Sequence, residues 1–179
     1  MPPSKDQPNI LCDPGDYEMT TRRLHHRGIP RTGRFMALSF ARAGVSRIAV
    51  GARSPLDSLA KEIAETCANP PEFLSVKLDV TYKASVAAAA TEVSREFGQL
   101  NVLVYNAGIL GKYGLIADSD PEEWLEVLNV NLRGPYLVTR AFLPLLLKAS
   151  GVDDVRYIVN VCSVGAHLTN PTSYPKPTK

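Results

Sequence analysis

Hydrophobic positions from about residue 32 onward fall into short blocks that alternate between two periods. Arg47 to Gly51 (RIAVG), Phe73 to Leu78 (FLSVKL), Asn101 to Tyr105 (NVLVY) and Val155 to Val161 (VRYIVNV) are apolar runs of strand length, bounded by polar or turn-forming residues. Between them the apolar residues recur at helical spacing. Gly33 to Ala43 carries Phe35, Met36, Ala37, Leu38, Phe40 and Ala41 ahead of Gly44, which predicts a helix buried between neighbours and stopped by glycine. Ser54-Pro55 reads as an N-cap and first-turn pair for a helix to about Cys67 with Leu56, Leu59, Ala60 and Ile63 inward. A third helix is expected over Ser85 to Phe97, closed by Gly98. The best-marked start is Asp120-Pro121-Glu122-Glu123, with an acidic N-cap and proline in the first turn. Apolar residues continue from Trp124 to Leu147, interrupted by Gly134-Pro135 and Pro144, so this long helix is expected to bend near those points.

Strand and helix in repeated alternation predict an α/β fold, a Rossmann-like doubly wound parallel sheet whose ligands sit at the C-terminal ends of the strands. Residues 1–31 do not join this pattern. They hold Pro2, Pro3, Pro8, Pro14 and Pro30 and a basic patch from Arg22 to Arg27, with Ile10, Leu11 and Cys12 as an isolated apolar triplet. The division is therefore an irregular N-terminal segment, 1–31, and a partial dinucleotide-binding domain, 32–179.

Composition narrows the function. With 179 residues, 45% hydrophobic content and a formal net charge of +2, the chain has the makings of one globular domain and no global field for nucleic acid. No run approaches the ~18 apolar residues of a membrane span, and the first ten residues lack the apolar stretch of a secretory signal, so a cytoplasmic location is expected. Cys12, Cys67 and Cys162 are widely spaced; they predict reduced, mostly buried thiols rather than a disulfide framework or a metal site.

Four motifs, in order and in register with the alternation, carry a family resemblance. They are Leu78-Asp79-Val80-Thr81 after the third block, Tyr105-Asn106-Ala107-Gly108 after the fourth, Asn129-Val130-Asn131-Leu132-Arg133-Gly134 in the long helix, and Val159-Asn160-Val161-Cys162-Ser163 ending the last. Together they resemble the short-chain dehydrogenase/reductase family over about Gly33 to Ser163. The resemblance implies hydride transfer between a nicotinamide dinucleotide and a small-molecule carbonyl or secondary alcohol, with a homo-oligomer as an allowed state. It implies that Asn106, Ala107 and Gly108 line the cofactor, that Asp79 and Val80 line the adenine pocket, that Asn131 holds a water of the proton relay, and that Ser163 hydrogen-bonds the substrate oxygen. The same Asp79 geometry also suits capping of the next helix. Cofactor choice falls to Gly51-Ala52-Arg53-Ser54, which has no carboxylate to bind a ribose 2′-hydroxyl. Arg53 offers a cationic fork to a phosphate and Ser54 a hydroxyl, favouring NADP(H). From Met19 to Leu56 there are eight arginines and no acid.

Three departures from the family pattern bear on activity. Of the glycine-rich pyrophosphate loop T-G-x-x-x-G-x-G, Gly33 matches the last glycine, while Arg31 stands where the preceding one belongs and Gly28 is the only other candidate. No strand directly precedes Gly28, so the first, central strand is missing or displaced; Asn9 to Cys12 could fill its place only if Asp13 to Pro30 loops out. At the other end Tyr174 suits the acid/base tyrosine of Y-x-x-x-K, but Lys179 follows by five residues and Thr178 takes the fourth place. Five residues on a helix are rotated by roughly 140° from the tyrosine, and Pro175 and Pro177 disfavour helix altogether. A tyrosine of ordinary pKa ~10 without its lysine is a poor acid/base near neutral pH. Poor catalysis follows, as does the alternative of an impaired, truncated chain that binds nucleotide weakly or acts through a complete homologue. The strands that would follow in the family are also expected to be absent.

Overall fold

The computed structural model describes residues 9–12, 31–112, 115–148 and 156–163. Five parallel strands form one sheet: β1 (Asn9–Cys12), β2 (Arg47–Ala52), β3 (Glu72–Lys77), β4 (Val102–Tyr105) and β5 (Tyr157–Asn160), in the order β3-β2-β1-β4-β5. Four of them coincide with the apolar blocks of the sequence. The central place is taken by β1, which pairs Ile10 with Ile48 of β2 and with Val102 of β4. Of the two sequence alternatives, missing or displaced, the second holds. Eighteen residues, 13–30, separate β1 from the following helix, and the segment 1–31, expected to be irregular, contributes the strand that joins the two halves of the sheet. The split sheet with unpaired backbone edges does not arise, because Asn9–Cys12 satisfies the facing ladders of β2 and β4.

Helices cover both faces. On one side lie α1 (Arg31–Arg42) and α2 (Asp57–Thr66), on the other α3 (Lys83–Phe97) and α5 (Gly134–Lys148). Period-2 alternation along β4 shows why: Val102 and Val104 pack with Ala37, Leu38 and Ile63, whereas Leu103 and Tyr105 pack with Val93, Val138 and Phe142. Phe142 is fully buried. Truncating it removes a large side chain from the α3/α5 core, at about 3–5 kcal/mol. Phe142→Ala should lower the midpoint of thermal unfolding by roughly 10 °C, read by circular dichroism.

Local chemistry sets the helix ends. Gly44 (φ 84°) and Gly98 (φ 75°) take the left-handed conformation that ends α1 and α3. After α1 the Gly44 N–H donates to the Ala41 carbonyl at 3.1 Å and the Val45 N–H to the Phe40 carbonyl at 3.5 Å. Two expectations change here. The α1 helix starts at Arg31 and is buried on one face only, with Phe35 54% exposed. The α2 helix starts after Leu56 rather than at Ser54-Pro55, because its first turn closes on the Leu56 carbonyl, with Leu59 and Ala60 N–H both at 3.0 Å. Asp57 then supplies the favourable charge of the first turn.

The long helix is as marked at its start and interrupted within. Asp120 accepts from the Glu122 N–H at 3.0 Å and caps α4 (Pro121–Leu128). A five-residue π-helical turn, Asn129–Arg133, joins α4 to α5, which contains Pro144 without ending. The edge strand β5 has all four residues exposed, whereas the opposite edge, β3, buries Val76 in one core and packs Phe73 against the other. Cys67 is half-buried and Cys162 exposed, contrary to the expected buried thiols, since each follows the end of an element rather than lying within it. Among the described residues no helix is long and apolar enough to cross a membrane.

Candidate functional site

All five strands run parallel, so the residues that follow them gather at one edge of the sheet. Chain order reverses between β1 and β4, with β2 and β3 to one side and β4 and β5 to the other; this reversal makes a crevice at the C-terminal ends. Arg53 and Ser54 follow β2 and are both exposed; Asp79 and Val80 lie just beyond β3; Asn106, Ala107 and Gly108 leave β4; Ser163 follows β5 and is exposed. Gly33 is buried in the first turn of α1. Tyr174 and Lys179, and Gly28 of the glycine loop, lie outside the described residues.

The loop leaving β4 is clamped to the helix beside it. Asn131, in the π-helical turn, donates from Nδ2 to the Ile109 carbonyl at 2.7 Å and accepts the Ile109 N–H on Oδ1 at 2.9 Å. One primary amide thus satisfies both backbone groups of one residue. Farther along, Glu123 accepts the Lys112 N–H at 3.0 Å and faces the Lys112 ammonium at 3.5 Å. The approach is close: a Cβ on Gly111 would lie 3.3 Å from Val127 Cγ2 and one on Gly108 would lie 3.5 Å from Asn131 Oδ1. Asn131 was legible from its motif. Its partner Ile109 and the Glu123 clamp were not, because both arise from tertiary contact between segments that carry no mutual signal.

At the end of β3, Asp79 Oδ1 accepts the Thr81 N–H at 2.9 Å and the Thr81 hydroxyl at 2.6 Å, while the Asp79 N–H donates to Ser85 Oγ at 2.9 Å. These contacts hold the turn ahead of α3, whose N-cap position is Tyr82 and carries no side-chain cap, so the helix-capping use read for Asp79 is not made. Val80 is 2% exposed and its side chain packs in the α3/α5 core. Arg133 reaches back from the π-helical turn to the Thr81 carbonyl at 3.0 Å, so the same turn steadies the loops after β3 and β4.

A doubly wound parallel sheet with this crevice defines a nucleotide-binding class of α/β protein. The family model for short chain dehydrogenase matches residues 26–175, and the chain belongs to that family. A relative from Aspergillus terreus named short chain dehydrogenase tazN is 74% identical over 96% of this chain and 42% of its own length. Among solved structures, a 3-oxoacyl-[acyl-carrier protein] reductase from Brucella melitensis in complex with NAD has a TM-score of 0.73 at 25% identity, covering 94% of this chain and 60% of the other. An alcohol dehydrogenase from Thermococcus sibiricus complexed with 5-hydroxy-NADP has a TM-score of 0.62 at 27% identity, covering 78% and 53%. The chain thus spans about two fifths of the tazN relative and rather more than half of each of these structures.

Proposed function

We propose that this chain carries the dinucleotide-binding part of an NADP(H)-dependent oxidoreductase acting on a small-molecule carbonyl or secondary alcohol. The observation that carries the reading is the paired hydrogen bond between Asn131 and Ile109, which fixes the Asn106–Gly108 loop against the helix at the crevice. NADP(H) would supply the transferable hydride. Arg53 and Ser54 are exposed where β2 ends, with no carboxylate between Gly51 and Leu56, so a cationic fork and a hydroxyl lie where the 2′-phosphate would be bound. Gly33 in the first turn of α1 lets a pyrophosphate approach backbone N–H groups. Asp79 and Val80 flank the adenine side, and Asn106, Ala107 and Gly108 the nicotinamide side.

Proton handling falls to the other half of the crevice. Ser163 would hold the substrate oxygen by hydrogen bonding, and Tyr174 would give or take the proton there. Asn131, both of whose side-chain polar atoms are committed to Ile109, would act on relay water through the backbone it fixes. Lys179 would lower the tyrosine pKa to the extent that it reaches, and its offset makes turnover slow. The non-enzymatic alternative loses its main support, since β1 fills the centre of the sheet. We take the cytosol, which keeps thiols such as Cys67 and Cys162 reduced, as the working compartment.

Turnover tests this directly. A ketone panel assayed with NADPH should give slow reduction that falls at least about tenfold in Ser163→Ala, the loss expected for one hydrogen bond to a reacting oxygen. A chain that binds NADPH yet reduces nothing, or a Ser163→Ala variant that reduces as fast as the parent, would contradict the assignment.

A further inference from the structure

The hydrogen bonds of the π-helical turn leave one carbonyl without a partner in its own helix. Gly134 N–H donates to the Asn129 carbonyl, five residues back, instead of to Val130. The residue five beyond Val130 is Pro135, which has no N–H to give. Val130 is fully buried, where an unmet carbonyl is strongly unfavourable. Its donor comes from the sheet: Tyr105, the last residue of β4, donates its hydroxyl to the Val130 carbonyl at 2.7 Å in a buried contact. Glycine at position 134 admits that hydroxyl, because a Cβ there would run into Tyr105 Oη.

We propose that Tyr105 is a positioning residue for Asn131, acting with Gly134 and Pro135 as one device; the functional side of this rests on the site read above. Pro135 disfavours a regular α-turn, since its ring would meet the carbonyl four residues back, that of Asn131 itself. The wider turn relieves that collision and exposes the Val130 carbonyl. Tyr105 satisfies it, and in doing so fixes the peptide that leads into Asn131. Two rungs then join the same pair of segments, Tyr105 to Val130 and Asn131 to Ile109.

Amide hydrogen exchange followed by NMR on the full chain decides it. In Tyr105→Phe the Ile109 amide should exchange at least about tenfold faster while the Leu103 amide within β4 stays within about twofold, because one buried hydrogen bond is lost locally. Adding Pro135→Ala restores a donor five residues beyond Val130 and should bring Ile109 back to within about threefold of the parent. Should Tyr105→Phe fail to fold, Gly134→Ala, which displaces the hydroxyl with the tyrosine kept, should give the same selective loss. Equal acceleration at Ile109 and Leu103, no acceleration, or no recovery with Pro135→Ala would overturn the proposal. In turnover, Tyr105→Phe should lower kcat with the NADPH Kd unchanged. Absence of turnover in the parent overturns the oxidoreductase reading, and the exchange result still decides the role of Tyr105.

Discussion

Arg53→Glu should reverse the dinucleotide preference of this chain. The parent presents an exposed guanidinium at the end of β2 with no acid between Met19 and Leu56. A charge-assisted hydrogen bond to a 2′-phosphate is worth about 1.5–3 kcal/mol when well made, and solvent exposure of Arg53 argues for the lower end. Its removal weakens NADPH by about tenfold, and a carboxylate repels the phosphate further. The same carboxylate accepts from the 2′-hydroxyl of NADH, a gain of similar size. The ratio of affinities should therefore swing by about two orders of magnitude, by calorimetry on both variants. Raising salt from 0.05 to 0.5 M should narrow the parent's preference, since a surface phosphate contact is screened over a few ångströms (about 4–14 Å across that range). An unchanged ratio in Arg53→Glu would place the determinant elsewhere.

Asn131→Ala should reduce turnover by at least about tenfold with a modest loss of stability. Two hydrogen bonds to Ile109 disappear together, at about 0.5–1.5 kcal/mol each, and the β4 loop loses its hold on the helix. Asn131→Asp separates the two contacts. It retains an acceptor for the Ile109 N–H and sets a second anionic oxygen against the Ile109 carbonyl, where the amide nitrogen donated at 2.7 Å. The aspartate variant should be no more active than the alanine variant, because half of the clamp has become repulsive. Steady-state rates at saturating NADPH, set beside denaturant midpoints for the three proteins, check both statements. Parent-like turnover in either variant would remove Asn131 from the relay.

The sequence reveals most where a local signal and the tertiary outcome coincide. The Asp120-Pro121 start of α4, the glycine stops at Gly44 and Gly98, and the apolar blocks of β2, β3 and β4 are all of this kind. β1 is harder to read: four residues between prolines carry no periodicity, and only pairing with both β2 and β4 selects them. The start of α2 is shifted because Ser54-Pro55 resembles a cap, yet the first turn closes on Leu56. Within the site, motif residues such as Asn131 are found by resemblance, whereas their supports are not. Ile109 contributes only backbone groups, Glu123 looks like any acid in a first turn, and Tyr105 looks like a core aromatic at a strand end. Asp79 shows the converse limit, since one residue type at one strand end suits more than one use, and its carboxylate holds Thr81 in the turn rather than capping α3.

Calorimetric titration of the 179-residue chain with NADPH and NADH tests most directly whether the crevice at the C-terminal ends of β2, β1 and β4 binds NADP(H). One site is expected, with NADPH bound at least about tenfold more tightly than NADH, the difference that one exposed arginine–phosphate contact supplies. Equal affinity for the two, or no heat of binding with either, would contradict it.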